Sequence, residues 1–439
     1  MTIPMDAGAA ELLHALHAAG HAAYVVGGCV RDSLLGLTPH DWDLCTSALP
    51  QQVMELFGAQ RCIPTGLQHG TVTVKQSGAL YEITTFRTEG TYTDGRHPDE
   101  VHFVPDVRED LARRDLTINA MAYNEKEGLV DPFGGQADLQ SGIVRAVGVP
   151  RQRFTEDALR ILRLYRFAAR FGFAIDPPTA QAAQELCAHL DCVSVERIEE
   201  ELAKLLSAPA PAAYLNEKIL SVVLPELSPE ALAAAKPVVD ACPAGERALP
   251  VRLAALLLSL GEDGTRRTLR RLRCSNACIE ETAVLVREAR GRDGSFSEDR
   301  PLGWDPVAEG NRAGDGMARI VSEEKATVTP DFTIYARRLL GKYNLCTVQR
   351  LAALGTALQP ERSADFAALS ELAERLDADG VCCRVSQLAV NGRDLMAAGV
   401  PAGPGIRKVL EALLDGVIRE EYPNERQALL AAVQQLAAS

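Results

Sequence analysis

Metal-binding sulfur motifs are missing from this sequence, and aromatic residues are few. Phe, Trp and Tyr make up only 5% of the 439 residues. The 11 cysteines include no Cys-x-x-Cys pair, and the nearest couples are Cys274 with Cys278 and Cys382 with Cys383. This spacing excludes the usual zinc patterns and a disulfide framework. Reduced thiols in the cytoplasm fit better.

Long apolar runs and a basic N-terminal segment are missing as well. No apolar stretch approaches the roughly 20 residues needed to cross a bilayer. The N-terminal residues 1–6 carry no basic region followed by an apolar core, so neither membrane insertion nor export is expected. The formal net charge of -13 argues against indiscriminate binding of nucleic acid. Any RNA contact must therefore come from local basic faces.

The distribution of strand-like and helix-like segments predicts an α+β fold. The chain is too long for one core, and its richness in Ala and Leu favours helix. Strand-like segments are confined to the first part of the chain, and helical periodicity dominates after Thr155. We expect a mixed-sheet head (1–150), a helical neck (151–225), a helical body (226–330) and a helical tail (331–439). The predicted strands are Ala22–Val26, Trp42–Cys45, Thr71–Val74, Leu80–Phe86, Val101–Val104 and Gly142–Val147.

A glycine turn after the first predicted strand is suited to a polyphosphate. Gly27 and Gly28 allow the backbone to come close to phosphate oxygens, and Arg31 can pair with them. Asp32 completes this short motif. Taken alone, such a glycine pair is usually no more than a turn.

Two carboxylates spaced by one residue follow this turn. In a β-strand Asp41 and Asp43 would point to the same side, about 7 Å apart. Mg²⁺ favours a few carboxylates together with substrate phosphate oxygens. Glu82, on another predicted strand, could be a third carboxylate, although a surface glutamate explains it equally well. The combination predicts metal-assisted nucleotidyl transfer.

The order of these features resembles the nucleotidyltransferase superfamily that includes DNA polymerase β-like enzymes. More narrowly, the chain resembles the bacterial-type (class II) CCA-adding enzymes, which are tRNA nucleotidyltransferases. The resemblance implies a polymerase β-like head, Mg²⁺ as cofactor, CTP and ATP as substrates and tRNA as partner. It implies no obligatory protein partner. In such chemistry, metal ions activate the attacking hydroxyl and stabilise the departing pyrophosphate.

The segment 113–122 is a second candidate for nucleotide contact. Two arginines at the start of an amphipathic segment can bind phosphate or ribose oxygens near a helix N-terminus, although a solvated helix start is the simpler explanation. In the family that the chain resembles, a block of this kind contacts the nucleotide. The resemblance assigns that contact to Arg114 and includes Asp115 and Asn119 in the block. Residues 131–139 resemble the hinge of that family between head and neck.

An arginine-rich helix is predicted at Thr155–Phe171, with Thr155 as its N-cap. At 100° per residue, one side carries a stripe of charged residues that is nearly all arginine. Such a stripe suits planar, bidentate recognition of bases and phosphates better than solvation alone. The members of this stripe are Glu156, Arg160, Arg163, Arg166 and Arg170.

The residue types on this helix also suggest how bases are selected. Adenine and cytosine present an amino donor beside a ring-nitrogen acceptor, whereas guanine and uracil present the reverse. An Asp that accepts and an Arg that donates would therefore leave GTP and UTP with unpaired groups, at roughly 1–3 kcal/mol each. The resemblance assigns these roles to Asp157 and Arg160. It places Arg163 and Arg166 further along the nucleotide.

Several related activities remain as alternatives. Residues 88–98 resemble the loop required for addition of A, and residues 65–72 resemble the tRNA-specific form and not that of poly(A) polymerases. Complete CCA addition is therefore favoured over enzymes that add only A or only CC and over poly(A) polymerase. A non-catalytic RNA-binding protein is the alternative from another class.

Two basic segments of the helical part are candidates for tRNA contact. An arginine cluster could bind phosphates, although an exposed helix balanced by acids explains it equally well. A glycine-rich turn before Ile406 could do the same at a helix start, or be purely structural. The residues concerned are Arg266, Arg267, Arg270 and Arg271 in the cluster, and Arg407 and Lys408 after the turn.

Overall fold

The computed structural model describes residues 2–90, 101–290 and 330–438. The chain divides into two compact units, formed by residues 1–229 with 271–273 and by residues 230–270 with 274–439. The division into head, neck, body and tail at residues 150, 225 and 330 stays a prediction. The segment 291–316, predicted to be a linker, lies outside the described residues.

The first unit contains a mixed sheet with the strand order β3-β4-β5-β2-β1-β8-β9. Strands β2 and β5 are parallel, and all other neighbours in this sheet are antiparallel. Two short pairs stand apart from it, the antiparallel pair β6–β7 and the parallel pair β10–β11. The strands are β1 Ala23–Val26, β2 Leu44–Thr46, β3 Cys62–Gly66, β4 Thr71–Gln76, β5 Ala79–Thr85, β6 Arg87–Glu89, β7 Val101–Phe103, β8 Ala122–Asn124, β9 Gly128–Val130, β10 Ile143–Val144 and β11 Ala174–Ile175.

Helices account for the rest of the first unit and for the regular structure described in the second, which confirms the predicted α+β class. The helices of the first unit are α1 Ala7–Ala18, α2 Gly28–Leu34, α3 Pro50–Phe57, α4 Val107–Ala112, α5 Gly135–Ser141, α6 Pro150–Glu156, α7 Leu159–Phe171, α8 Pro177–Leu186, α9 Val195–Leu206 and α10 Glu217–Val223. Those that follow are α11 Pro229–Ala241, α12 Leu249–Leu257, α13 Gly261–Arg271, α14 Asn276–Arg290, α15 Pro330–Lys342, α16 Leu345–Leu358, α17 Ser363–Ala378, α18 Gly392–Ala397, α19 Gly405–Ile418 and α20 Arg426–Ala438.

The core of the head lies around strand β1, which is buried along its whole length. It packs with side chains from β2 and from helix α4, including Cys45 and Leu111. Because β1 is central and buried, its end is a fixed point from which the glycine turn leaves the sheet. None of the helices in the described ranges has the length and apolar character that a membrane span requires.

The predicted arginine-rich helix is in fact two helices. Asp157 has extended backbone angles (φ -145°, ψ 104°) and separates α6 from α7. Thr155 is therefore not an N-cap, and its hydroxyl donates to the carbonyl of Arg151 inside α6. The end of α7 was predicted correctly, because Gly172 adopts the left-handed conformation that terminates it.

Candidate active site

The glycine turn joins strand β1 directly to helix α2. Gly27 has φ +78°, a conformation that residues with a side chain rarely adopt. A Cβ at this position would also lie 3.0 Å from Nη1 of Arg114. At Gly28 a Cβ would meet only Nη2 of Arg31, at 3.7 Å. Gly27 is thus required by the turn, whereas Gly28 leaves its backbone open to approach.

The two aspartates precede strand β2 instead of lying within it, so the prediction of a strand at Asp41 was wrong. The carbonyl of Asp43 nevertheless accepts from the N–H of Val26 at 2.9 Å, which fixes this segment against β1. Glu82 projects from β5 on its exposed side. These contacts bring a carboxylate-bearing segment next to the glycine turn.

Two other acidic residues, Glu82 and Asp41, act on the carboxylate of Asp43. Its side chain is open to solvent, but the surrounding protein removes part of its hydration. This loss of hydration, followed by the negative charges of Glu82 and Asp41, raises the pKa of Asp43 to about 6, while Arg114 acts in the opposite direction. These electrostatic interactions place Asp41, Glu82 and Arg114 around Asp43.

The carboxylates suit a divalent cation, although the structure does not bring them into a closed ligand set. Within the described ranges, no three His, Cys, Asp or Glu side chains are grouped closely enough to hold a metal ion. A cation would relieve the repulsion that acts on Asp43, and two carboxylates with substrate phosphate oxygens satisfy Mg²⁺. The carboxylates of Asp41 and Asp43 therefore suit Mg²⁺ as ligands, and a third ligand at Glu82 stays a prediction.

Arg113 and Arg114 follow the end of helix α4, so the prediction that they begin a helix was wrong. The segment continues into a 3-10 turn at Thr117–Asn119 and then strand β8. Asp110, which the sequence did not single out, is fully buried and accepts from both arginines, at 2.9 and 3.5 Å. The side chain of Arg114 is thereby held between this acid and the glycine turn.

Arg31 is held inside the protein, and its pairing with phosphate oxygens stays a prediction. Its side chain is only 4% exposed and donates to Asp32 at 2.8 Å and to Asn119 at 2.5 Å. The guanidinium carbon lies 4.9 Å from the ring centre of Phe167 and 5.2 Å from that of Phe171. Arg31 therefore links helix α2 to helix α7 through cation–π contacts.

Asp115 forms a second link to helix α7. Its carboxylate accepts from Nε of Arg163 at 2.7 Å and from the amide of Asn119 at 3.3 Å. Burial alone would raise its pKa, but Arg163, with a smaller contribution from Arg160, holds the pKa of Asp115 well below its usual range. The carboxylate is ionised at neutral pH.

The predicted arginine stripe exists, but acids pair with it. Sequence reasoning missed Glu201 on helix α9, a buried acid more than thirty residues away along the chain. Its presence converts part of the stripe into a buried ion-pair network. The pairs are Arg160 with Glu156 (2.7 Å), Arg163 with Asp115 (2.7 Å), Arg166 with Glu201 (2.7 Å) and Arg170 with Asp32 (3.2 Å).

The predicted base-selecting residues lie at the break between α6 and α7. Asp157 accepts from the N–H of Leu159 at 3.0 Å and from Arg197 of helix α9 at 2.7 Å. Arg160 donates to the carbonyl of Arg113 at 3.0 Å. Arg114 is the next residue, and its charge acts on Asp43, so the break is linked to the carboxylates by one hydrogen bond and one electrostatic interaction.

The arginines predicted to contact tRNA are only partly available. Acids engage three of the six residues: Arg266 pairs with Glu262 (3.0 Å) and Glu280, Arg271 with Glu226 (2.7 Å), and Arg407 with Glu411 (2.8 Å). These ion pairs favour the balanced-helix explanation for Arg266 and Arg271, and phosphate contact by any of the six residues stays a prediction. Arg267, Arg270 and Lys408 are exposed and stay candidates for phosphate contact.

A mixed-sheet head in which a glycine turn lies beside two aspartates is typical of nucleotidyltransferases. A protein-family model described as "Poly A polymerase head domain" matches residues 23–145. A second, "Probable RNA and SrmB- binding site of polymerase A", matches residues 172–230. A third, of tRNA nucleotidyltransferase domain 2, matches residues 322–433.

Individual relatives narrow this class further. The CCA-adding enzyme of Levilactobacillus brevis is 35% identical over 432 residues, covering 97% of this chain and 96% of that protein. That of Geobacillus stearothermophilus is 35% identical over 416 residues, covering 94% and 92%. The crystal structure of the Bacillus stearothermophilus CCA-adding enzyme in complex with CTP matches with a TM-score of 0.77 and 30% identity, covering 99% of this chain and 98% of that one. The chain belongs to the family of bacterial class II CCA-adding enzymes.

Proposed function

We propose that this chain adds or repairs the 3′-terminal CCA of tRNA, using CTP and ATP, releasing pyrophosphate and requiring no nucleic-acid template. The observation that carries the proposal is that Arg160 donates to the carbonyl of Arg113, while the charge of the next residue, Arg114, acts on Asp43. It supports base selection beside the carboxylates within one compact unit. The chain is a tRNA nucleotidyltransferase, which removes the alternative of a non-catalytic RNA-binding protein.

The carboxylates of Asp41 and Asp43 would hold Mg²⁺, with Glu82 assisting. When bound, the metal lowers the pKa of the terminal ribose hydroxyl of tRNA and stabilises the charge on the departing pyrophosphate. The remaining task of the protein is to position the nucleotide and the RNA end. The glycine turn supports close approach of the triphosphate at Gly28, where the backbone is open.

Arg114 would contact the nucleotide from the other side of the turn. Within the described residues, its buried Nε has no hydrogen-bond partner, so this donor is available to a substrate oxygen. Arg31, Asp32, Asn119 and Asp115 would act by fixing helix α7 to the head. Their mutual pairing leaves them suited to support and not to direct phosphate contact.

Asp157 and Arg160 would read the Watson–Crick edge of the incoming base. The carboxylate of Asp157 keeps acceptor capacity beyond its bonds to Leu159 and Arg197, because the two oxygens of a carboxylate offer about four lone-pair sites. An amino group of cytosine or adenine can use that capacity, whereas a carbonyl of uracil or guanine cannot. Arg163 and Arg166, already paired with acids, would line the nucleotide further along.

The test is single-nucleotide incorporation on tRNA transcripts that lack one, two or all three of the terminal nucleotides. We expect C to be added at the first two positions and A at the third, followed by arrest. Addition of A alone, addition of CC alone, or growth into long poly(A) would identify one of the alternative activities. Incorporation from GTP or UTP at comparable rates would refute base selection.

The cellular setting follows from the same observations. All 11 cysteines are free thiols, Cys192 and Cys346 being exposed to solvent. Exposed free thiols persist in reducing compartments. We therefore propose the cytoplasm, where tRNA, CTP and ATP are available, and no protein partner is needed for the proposed site.

A further inference from the structure

Asp110 is a buried acid that the proposed mechanism does not yet use. Its side chain is 0% exposed, at the last turn of helix α4. It accepts from Nε of Arg113 at 2.9 Å, from Arg114 at 3.5 Å and from the backbone N–H of Arg87 at 3.3 Å. A buried carboxylate is stable only with such partners. Asp110 therefore ties the start of strand β6 to both arginines after α4.

Residues 112–114, which Asp110 holds, also accept hydrogen bonds from two arginines of helices α6 and α7. The carbonyl of Ala112 accepts from Arg153 at 3.0 Å, and that of Arg113 accepts from Arg160 at 3.0 Å. Both carbonyls lie where helix α4 ends, and carbonyls at a helix end accept from groups outside the helix. A shift of residues 112–114 would therefore move the partners of Arg160 as well as the side chain of Arg114.

Arg114 lies between two groups of negative charge. Its Nη2 faces Asp110, while its Nη1 lies over Gly27 and its charge acts on Asp43. Without Asp110, the carboxylate of Asp43 would still attract this guanidinium, because the two charges interact. The arginine would then turn toward the carboxylates and leave the position over the glycine turn.

We propose that Asp110 is a positioning residue for nucleotide binding, which holds Arg114 over the glycine turn and fixes the carbonyl that receives Arg160. The inference rests on the proposed function, because it assigns both arginines to the nucleotide. Asp110 touches no substrate. It acts on CTP and ATP alike, since Arg114 and Arg160 serve both.

The test compares steady-state constants of the wild-type enzyme and Asp110→Asn, with Glu288→Gln as the control. Glu288 is a partly buried acid of the second unit that pairs with Arg287 and Lys342, so its loss probes the general effect of breaking such a network. We expect Asp110→Asn to raise KM for both CTP and ATP about tenfold or more, with a smaller fall in kcat. Glu288→Gln should leave both nucleotide KM values unchanged at a similar loss of thermal stability.

Unchanged KM values in a folded Asp110→Asn enzyme, or an equal rise in the control, would overturn the inference. If Asp110→Asn does not fold, Arg113→Gln provides the second variant. It keeps the carboxylate but removes its stronger partner, which draws Arg114 further toward Asp110. It must then raise KM for both nucleotides, and an unchanged KM overturns the inference. Failure of the proposed function is separate, because the wild-type enzyme would then not extend truncated tRNA at all.

Discussion

Arg197 of helix α9 holds the carboxylate of Asp157 through both terminal nitrogens of its guanidinium, at 2.7 and 3.4 Å. Asp157 lies where α6 ends, and its carboxylate also accepts from the N–H of Leu159. A carboxylate that selects a base must keep one orientation, because discrimination depends on where its acceptors point. The ion pair with Arg197 therefore belongs to base selection even though Arg197 need not touch the nucleotide.

Replacement of Arg197 should weaken this selection. In Arg197→Gln we expect the preference for CTP over UTP, measured as a ratio of kcat/KM, to fall roughly three- to tenfold, as for one weakened hydrogen bond. Lys204→Gln on the same helix removes an exposed ion pair with Glu200 and should leave the ratio unchanged. A ratio that stays constant in both variants would assign Arg197 to stability alone.

The two glycines of the turn should respond differently to the same substitution. Gly27→Ala meets both a positive φ and Arg114 at 3.0 Å, so it should lower the free energy of unfolding by at least about 1 kcal/mol and impair activity. Gly28→Ala has space and ordinary backbone angles, so stability should hold. If the triphosphate approaches the backbone at Gly28, this variant still loses nucleotide affinity. Thermal unfolding and KM for CTP, measured on both variants, separate the two effects.

Neutralising Asp43 should abolish activity without destabilising the fold. Its pKa of about 6 lies above the unfolded value near 3.9, so at pH 7 the ionised side chain opposes folding. This penalty shrinks as the pH falls through the folded pKa and is gone below the unfolded value. We expect Asp43→Asn to lose about three orders of magnitude in kcat. Its melting temperature at pH 7, in the presence of a chelator, should not fall below that of the wild type. A clear fall would show that Asp43 serves the fold.

Asp115 gives the opposite dependence on pH. Its pKa is depressed, chiefly by Arg163, so its contribution to stability is present above the unfolded pKa near 3.9 and is lost as the pH falls below that value. We expect Asp115→Asn to be less stable than the wild type at pH 7, with the gap narrowing below about pH 4. Urea unfolding at a series of pH values measures the gap. A constant gap across this range would contradict the assigned ion pair.

Local sequence signals correctly predicted the elements whose conformation is set by neighbouring residues. The turn at Gly27, the helix end at Gly172 and most of the later helices follow from glycine conformation and apolar periodicity. The sequence motifs also identified segments that the fold brings together, such as residues 41–43 and Arg114. These signals span only a few neighbouring residues, so they can be recognised in a single sequence.

Contacts between distant segments could not be predicted in the same way. Arg31 has the residue type of a phosphate ligand, but rings from helix α7 and the amide of Asn119 enclose it. The break at Asp157 interrupts a pattern that reads as one helix, and Arg197 pairs with the partly buried carboxylate there. Burial and pairing of these groups depend on tertiary packing. The sequence signal that could have indicated them is an acidic residue on the apolar face of a neighbouring predicted helix, where it needs an arginine as partner.

The most direct measurement is the ratio of kcat/KM for CTP to that for UTP, on tRNA that lacks all three terminal nucleotides, in the wild-type enzyme and in Asp157→Asn. An amide in place of the carboxylate offers an oxygen acceptor and an NH2 donor group, so it can pair with uracil as well as with cytosine. We predict that the ratio falls about tenfold or more while incorporation of C remains measurable. An active Asp157→Asn enzyme with the wild-type ratio would contradict base selection by this residue.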